Sequence, residues 1–333
     1  MHTRSLKYIS PFLVYALAVI AFTGHGVLCW LALIYAWFII PFLELFIKPD
    51  HSNMEQAEEE LAKHDRVYDY ILYAIVPAQF VALALFLFSM KEASPGIADI
   101  AGRVYTMGLL CGSFGINVGH ELGHRSNKAE QALAKTLLLS SLYMHFFIEH
   151  NKGHHKKVAT KEDPASARLW ETVYIFYMRS AIMGYLNAWK ISAKELGKKQ
   201  LPILNFKNEM LQMQLIQLLF VAFIFFIFGW QITLYFFMAS VIGMALLETV
   251  NYIEHYGLTR NKLAGDKYER TMPQHSWNSD HIIGRLMLFE LSRHSDHHYL
   301  ASRKYQVLRH HNNSPQMPTG YPGMMILSLI PPL

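Results

Sequence analysis

Histidine is the residue type in this sequence whose number and spacing could do chemistry. The chain has 18 histidines among 333 residues, and nine of them stand in places that suit ligands. His120 and His124 are four residues apart, as are His150 and His154. On a helix this spacing puts two imidazoles on one face, about 5–6 Å apart, where the pair could hold one metal ion. The nine are His120, His124, His150, His154, His155, His255, His294, His297 and His298.

The number of candidate ligands argues against a single zinc ion. Residues 120–124 read HELGH, which fits the HExxH motif of zinc proteases. Such a site needs only one further protein ligand, which would leave most of the nine histidines without a role. Imidazole binds zinc, copper, iron and nickel alike, so the ligand type does not name the metal. Nine nitrogens exceed one coordination sphere, and the set therefore predicts two ions.

The elements that must position these histidines have the composition of membrane helices. Hydrophobic residues make up 52% of the chain and charged residues 17%, and six apolar runs are long enough to span a bilayer. The first run could instead be a cleaved signal peptide, but no convincing cleavage site of small residues accompanies it, so we expect it to be retained. The predicted spans are residues 9–23, 27–47, 70–90, 97–118, 211–228 and 232–250.

We therefore predict an all-α integral membrane protein with one domain, residues 1–333. Six transmembrane helices carry a cytoplasmic helical cap formed by residues 119–210 and 251–333. Residues 151–209 contain eleven Lys or Arg, which places that side in the cytoplasm by the positive-inside rule. The histidines share this face only if the apolar run at 133–147 does not cross. With about 15 residues it is short for a crossing, and we expect it to be re-entrant or to lie at the interface.

The sequence contains no built-in electron carrier. Its two cysteines, Cys29 and Cys111, lie within predicted spans and form no CxxC pair. No GxGxxG motif indicates a bound nicotinamide or flavin. Any redox chemistry here would draw its electrons from a separate protein. The net charge of +5, carried largely by the predicted cytoplasmic loops, suits anionic lipid headgroups or an acidic electron carrier, and nothing in it indicates nucleic acid.

Six motifs along the chain resemble those of one membrane enzyme family. They are HELGHR from His120, EHNKGHHKKVATKEDPASAR from Glu149, NYIEHYGL from Asn251, HSWNSDH from His275, RHSDHH from Arg293 and PTGYPG from Pro318. In order and spacing they resemble the membrane-bound alkane 1-monooxygenases, a branch of the integral-membrane fatty acid desaturase and hydroxylase superfamily. The histidine motifs are shared by the whole superfamily. The NYIEHYG motif is more specific, because it indicates the alkane hydroxylases and the closely similar xylene monooxygenase hydroxylase subunits.

The resemblance implies a non-haem di-iron centre with the nine histidines as ligands and no bridging carboxylate among the protein ligands. We expect nearby carboxylates to orient the imidazole N–H groups and to offset the charge of the metal. The candidates are Glu121, Glu149, Asp163, Glu254 and Asp296. Two further histidines, His275 and His281, are six residues apart and are expected to be structural or to support the ligands.

The implied reaction is the O₂-dependent hydroxylation of medium- to long-chain n-alkanes to 1-alkanols. Electrons would come from a separate rubredoxin with its rubredoxin reductase, and the chain itself would bind no flavin, haem or nicotinamide. The resemblance also implies the bacterial inner membrane, with the active site on the cytoplasmic side. The expected residues of the substrate channel are Trp30, Ala36, Trp37 and Phe38. The expected residues of the donor docking surface are Lys156, Lys157, Lys161, Arg303, Lys304 and Arg309.

Other functions remain open at the level of sequence. A xylene-type methyl hydroxylase would be a near variant of the same reaction. A fatty acyl desaturase would use the same iron centre but remove a second hydrogen, and the NYIEHYG motif speaks against it. A histidine-rich metal transporter or an intramembrane metalloprotease would belong to another class. A transporter needs polar residues within its spans, whereas these histidines lie at the ends of spans and beyond.

Overall fold

The regular secondary structure of the described residues is helical. The computed structural model describes residues 2–92, 95–265 and 267–330, so residues 266 and 331–333 of the predicted cap lie outside the described residues. Within those ranges there is no β-strand, and the only extended pairing consists of two isolated bridges. The prediction of an all-α protein is therefore confirmed for the described residues.

Two helices near the N-terminus form the first hairpin. Helix α1 is Leu6–Thr23 and helix α2 is Gly26–Glu44. Gly26, at the turn between them, has a φ of 62°, which glycine adopts without strain. Within α2, residues Tyr35–Ile39 form a π-helical turn immediately before Pro41. A proline has no N–H to donate to the carbonyl one turn back, so the regular α-helical hydrogen bonding is interrupted at this point.

A long helix, α5, forms the centre of the protein. It follows α3 (Gln56–His64) and α4 (Val67–Ser89). Its three consecutive segments are an α-helix at Ile97–Leu110, a π-helical turn at Cys111–Ile116 and an α-helix at Asn117–Gly123. From residue 102 onward the helix is buried almost throughout. This burial places its last turn, which carries the first histidine motif, deep inside the protein.

The long helix α9 (Glu209–His255) is a hairpin of two arms. Its 47 residues would measure about 70 Å if the helix were straight. The backbone departs from helical geometry at Gly229, where φ is 82° and ψ is 172°. Phe220 and Phe236 would lie about 24 Å apart along a straight helix, yet their ring centroids are 5.9 Å apart. The chain therefore reverses direction near Gly229, and the arms match the spans predicted at 211–228 and 232–250.

In the described part of the chain, four helical stretches are long and apolar enough to cross a membrane. They are Leu6–Thr23, Gly26–Glu44, Val67–Ser89 and Glu209–His255, and the last of these contains two predicted spans. The span predicted at 97–118 is helical over its whole length but is not one of the four. Several membrane helices are therefore supported, and the count of six remains a prediction.

Glycines bring α5 and the second arm of α9 into close contact. A Cβ added at Gly108 would lie 2.5 Å from Cγ2 of Ile242, and one at Gly243 would lie 2.5 Å from Cβ of Cys111. Gly108 and Gly112 form a GxxxG pair, and small residues at this spacing let membrane helices approach backbone to backbone. This contact fixes the distance between the two helices that carry the first histidine motif and the NYIEHYG motif.

Further helices lie between α5 and α9 and after α9. Helix α6 (Lys128–Leu139) begins after Asn127, whose side chain accepts a hydrogen bond from the N–H of Ala129. Its 12 residues are about 18 Å long, too short to cross, which agrees with the predicted non-crossing run at 133–147. The other helices are α7 (residues 146–157), α8 (Val173–Gly197), α10 (Ile282–Met287), α11 (His294–Tyr299) and α12 (Tyr321–Ser328).

Candidate metal centre

The fold collects all nine candidate histidines into two adjacent groups. In each group the ligand atoms lie within 4.8 Å of one another. The two groups are neighbours, because the rings of His155 and His298, one from each, are 4.4 Å apart. The five-histidine group consists of His120, His124, His150, His155 and His297. The four-histidine group consists of His154, His255, His294 and His298.

The imidazole nitrogens are spaced as ligands of a metal ion would be. In the five-histidine group, Nε2 of His150 lies 2.9 Å from Nε2 of His155 and 3.1 Å from Nε2 of His124. The Nε2 atoms of His120 and His297 are 3.0 Å apart. Two nitrogens bound at right angles to one metal at about 2.1 Å would be separated by about 3.0 Å. The observed distances therefore fit a shared ion.

A π-helical turn divides the second histidine motif between the groups. The sequence predicts that His150 and His154 hold one ion together, because they are four residues apart. In the structure residues His150–His154 form a π-helical turn, which aligns positions five apart. His150 therefore pairs with His155, and His154 points into the other group, where its Nε2 is 3.2 Å from Nε2 of His298. The predicted pairing of His150 with His154 is wrong for this reason.

The lone histidine of the NYIEHYG motif lies in the four-histidine group. His255 is the last residue of α9 and is fully buried. Its Nε2 lies 3.3 Å from Nε2 of His294. Their shared position is consistent with the prediction that His255 is a ligand rather than a packing residue.

Burial keeps most of these imidazoles neutral. It lowers the pKa of His297 to about 3, with a further contribution from His154. Burial and then neighbouring imidazoles also lower the pKa of His120, His124, His150, His155, His294 and His298. Burial acts in the same direction on His154, but the adjacent Asp163 outweighs it and the pKa of His154 is raised. Neutral imidazoles keep their lone pairs available to a metal.

Asp163 supports one histidine in the way that was predicted. Its Oδ2 accepts a hydrogen bond from Nδ1 of His154 at 2.8 Å and another from Oγ of Ser166 at 2.6 Å. With its proton held at Nδ1, His154 presents the lone pair of Nε2 to the four-histidine group. Carboxylates that bond metal-bound histidines in this manner fix the orientation of the ring and raise its basicity.

Glu254 approaches the site from the metal-facing side. Its Oε2 lies 3.1 Å from Nε2 of His294, while its Oε1 accepts a hydrogen bond from the Tyr321 hydroxyl at 2.7 Å. Nδ1 of His294 has no hydrogen-bond partner in the described part of the chain. The sequence predicts that Glu254 orients an imidazole N–H, but the carboxylate instead stands beside the nitrogen that faces the ion. It is therefore placed as an oxygen donor to the four-histidine group.

The other three predicted carboxylates bond elsewhere. Glu121 pairs with Arg125 at 2.7 Å, and Asp296 pairs with Arg303 at 2.7 Å. Glu149 accepts a hydrogen bond from Nδ2 of Asn187 at 3.0 Å, and burial, together with the charge of Asp163, raises its pKa to about 7. These carboxylates shape the surroundings of the histidines without a hydrogen bond to them in the described structure.

Histidines outside the two groups have structural contacts. Nδ1 of His275 accepts a hydrogen bond from the N–H of Met272, and Nδ1 of His281 lies 3.0 Å from Oγ of Ser279. A third cluster joins His51, Asp280 and His310. Both oxygens of Asp280 are already bonded, one to Arg293 and the other to Asn278 and His310. We assign this cluster to holding the loop around residue 50 against the C-terminal segment.

An apolar cavity lies among the membrane helices, next to the residues that carry the centre. Asn117, which lines it, lies one helical turn before His120, and Tyr321 connects its wall to Glu254. Tyr321 was not singled out from the sequence, although it lies within the PTGYPG motif. The remaining wall is formed largely by aliphatic side chains and by methionines, among them Leu109, Leu247, Met287 and Met325.

The predicted channel residues divide between this cavity and the exterior. Ala36 and Trp37 line the cavity. Phe38 is 69% exposed and borders an outer groove instead, because the next residue on a helix points about 100° away. Trp30 stacks on Tyr105, with ring centroids 6.4 Å apart, and does not line the cavity. Of the four, the structure brings two to the cavity.

The predicted docking residues differ in how free their charges are. Arg303 pairs with Asp296, Lys304 with Asp69 at 2.8 Å and Arg309 with Glu59 at 2.7 Å. Lys157 lies 3.4 Å from Glu162. Lys156 and Lys161 are exposed. Among the six predicted residues, these two lysines are therefore the ones without an ion pair in the described part of the chain.

Fold and site together define a helical membrane-type protein with a histidine-rich two-group metal centre. The sequence profile of the Fatty acid desaturase family matches residues 99–328. The chain is 40% identical to alkane 1-monooxygenase 2 of Pseudomonas aeruginosa, over 91% of this chain and 81% of the relative. It is 36% identical to alkane 1-monooxygenase of Pseudomonas putida, over 93% of this chain and 77% of the relative. The chain belongs to the alkane 1-monooxygenases of the fatty acid desaturase family.

A more distant relative belongs to the xylene enzymes. The xylene/toluene monooxygenase hydroxylase component XylM of Pseudomonas putida is 26% identical, over 80% of this chain and 71% of the relative. Its identity to this chain is lower than that of the two alkane 1-monooxygenases.

Proposed function

We propose that this oxidoreductase inserts one atom of O₂ into the terminal C–H bond of an n-alkane of medium to long chain length. The balanced reaction is RH + O₂ + 2e⁻ + 2H⁺ → ROH + H₂O. The observation that carries the proposal is an apolar cavity whose wall, at Asn117 and Tyr321, lies beside the two groups of buried histidines. An alkane has no polar group to recognise, so its position must come from the shape of such a cavity.

The nine histidines would hold two iron ions, five at one group and four at the other. When bound, the iron supplies the activation of O₂, which no side chain can perform. Asp163 holds the proton at Nδ1 of His154 and so directs its Nε2 inward. Tyr321 holds the Glu254 carboxylate beside His294, where its negative charge offsets that of the ions.

The cavity wall performs the remaining tasks of binding and exclusion. Trp37, Leu109 and Leu247 enclose the chain of the substrate and exclude water from it. Asn117 is held by its own contact, in which Nδ2 donates to the carbonyl of Leu288 at 3.0 Å. This hydrogen bond ties α5 to the segment after α10 at the inner end of the cavity, next to His120.

We propose that the electrons come from another protein; this sequence contains no CxxC pair and no GxGxxG motif. We propose a rubredoxin, reduced by its reductase, that docks near Lys156 and Lys161. We also propose that the protein is a multi-pass protein of the bacterial inner membrane, with both histidine groups at the cytoplasmic side. The eleven basic residues of residues 151–209 support this orientation.

The test uses purified full-length protein with rubredoxin, its reductase and ¹⁸O₂. Two irons per chain and a 1-alkanol that carries ¹⁸O are the expected results. An alkene from an acyl substrate without ¹⁸O would instead indicate a desaturase. A single zinc per chain, or alcohol without label, would overturn the proposal. Comparison of n-alkanes with xylene as substrates then separates the two hydroxylase variants.

A further inference from the structure

The last turns of α9 separate two different environments. Val250 lines the apolar cavity, and Glu254, four residues further on, continues the same helix face. Glu248 and Asn251 lie on the neighbouring face and border a second cavity. Because residues three and four apart share a face, that second face continues to His255 in the metal centre. One helix therefore offers the centre an apolar approach and a polar approach.

The second cavity is small and polar. The free volume inside it is ≈ 10 Å³, about the minimum that a single water molecule requires. It reaches His150 of the five-histidine group, which forms part of its wall. The polar side chains around it are Tyr143, His145, Glu149, Ser180, Glu248 and Asn251.

Glu248 is the unusual residue of this cavity. It lies in the apolar arm of α9 and is 5% exposed. Its Oε1 accepts a hydrogen bond from the Tyr143 hydroxyl at 2.8 Å, and its Oε2 lies 3.4 Å from Nδ2 of Asn251. In the described part of the chain it forms no ion pair with a lysine or an arginine. A buried carboxylate without a cation is unfavourable, and an acidic residue within a membrane helix usually has a function.

The proposed reaction consumes protons, and Glu248 is placed where it could supply them. Each turnover consumes two protons at the metal centre, and the apolar cavity excludes the water that could bring them. We propose that Glu248 and the polar cavity deliver protons to the oxygen being reduced beside His150; this inference rests on the proposed function. A proton leaves Oε2 of Glu248 through water in the cavity. The carboxylate then regains a proton from solvent, so Glu248 is unchanged after each cycle.

The deciding variant is Glu248→Gln in the full-length, iron-loaded protein. Glutamine keeps the size of the side chain and can bond Tyr143 and Asn251, but it has no acidic proton to give. Alcohol formed per electron pair should fall on the order of tenfold or more, with the lost electrons recovered as hydrogen peroxide. The iron content should not change. Glu248→Asp, which keeps the acid, should restore part of the coupling.

A matched control exists elsewhere in the chain. Glu130 accepts a hydrogen bond from the Tyr73 hydroxyl at 2.9 Å and is also buried, but it lies on α6 outside the polar cavity. Glu130→Gln should therefore keep wild-type coupling. Wild-type coupling in Glu248→Gln would overturn the proposal. An equal loss in Glu248→Asp and Glu248→Gln would also overturn it, because the residue would then act only through its shape.

A second measurement does not depend on turnover. A carboxyl group that passes protons exchanges its own proton, so its infrared band shifts when metal-free protein is moved from H₂O to D₂O. This band should be present in the wild type and in Glu130→Gln and absent from Glu248→Gln. Its persistence in Glu248→Gln would refute the role of Glu248. If the wild type made no alcohol, the proposed function would fail, and the infrared result would still decide whether Glu248 holds an exchangeable proton.

Discussion

Asp163 provides a direct test of how the protein holds its metal ions. Its fully buried carboxylate bonds Nδ1 of His154, whose Nε2 faces the four-histidine group. Asp163→Asn keeps the shape but removes the negative charge. Loss of a supporting carboxylate weakens metal binding about 10- to 100-fold, which corresponds to about 1.4–2.7 kcal/mol. Because His154 belongs to one group only, we expect one of the two ions to be affected.

The assay is chelator competition on the iron-loaded protein, with the iron remaining per chain measured at each chelator concentration. In Asp163→Asn, one ion should leave at a chelator concentration 10- to 100-fold lower than in the wild type, while the other should stay. Glu121→Gln is the control, since Glu121 is next to His120 in sequence but bonds Arg125 and the N–H of Tyr305. Release of both ions from Asp163→Asn at the wild-type chelator concentration would refute this reasoning.

Three further changes test other parts of the structure. Gly108→Ala should destabilise the protein by about 1–3 kcal/mol, since the new Cβ would lie 2.5 Å from Cγ2 of Ile242. Adding Ile242→Ala should restore part of the melting temperature in thermal unfolding. An unchanged melting temperature in Gly108→Ala alone would contradict the contact. Metal-free protein should lose stability as the pH falls from about 6.5 toward 3, because the pKa of His297 is about 3 in the folded chain and about 6.5 in the unfolded chain. The unfolded chain takes up the proton first, so the free energy of unfolding should fall by about 1.4 kcal/mol per pH unit for each such histidine. Equal melting temperatures at about pH 7.5 and 5.5 would argue against neutral buried imidazoles. Charge reversal at Lys156 and Lys161 should raise the KM for rubredoxin at low salt, and the difference should shrink as salt screens the charges; an unchanged KM would leave these lysines to lipid headgroups.

Much of the centre could be predicted because ligands must be of particular residue types. Nine imidazoles in four motifs are visible in sequence, and the fold brings all of them together. The helical secondary structure could also be predicted from the sequence. Long apolar runs in a membrane can satisfy their backbone hydrogen bonds only as helices or closed barrels. The length of the run at 133–147 also predicts that it does not cross, and the short α6 is consistent with that prediction.

The grouping of the ligands could not be predicted from the assumption of regular helices. The π-helical turn at residues 150–154 changes which histidines share a face, and nothing in HNKGH separates it from an α-helical segment. Gly153 is packed closely in this turn, because a Cβ there would lie 2.7 Å from Oε1 of Glu149. A glycine alone does not indicate a π-helical turn in the sequence. The adjacent pair His154 and His155 already offered both spacings, four and five, and only the structure distinguishes them.

The tight contact between α5 and α9 also explains how one helix can serve an apolar and a polar cavity. Gly243, Val250 and Glu254 recur at three- or four-residue multiples and so share one face of the second arm. Because Gly243 lies against the backbone of α5, the rotation of the arm about its own axis is fixed. That rotation places Val250 in the wall of the apolar cavity and Glu254 against Tyr321 of the same wall. It leaves Glu248 on the other side, beside the polar cavity and His150. A bulky residue at position 243 would turn the arm, and both approaches to the metal centre would change together.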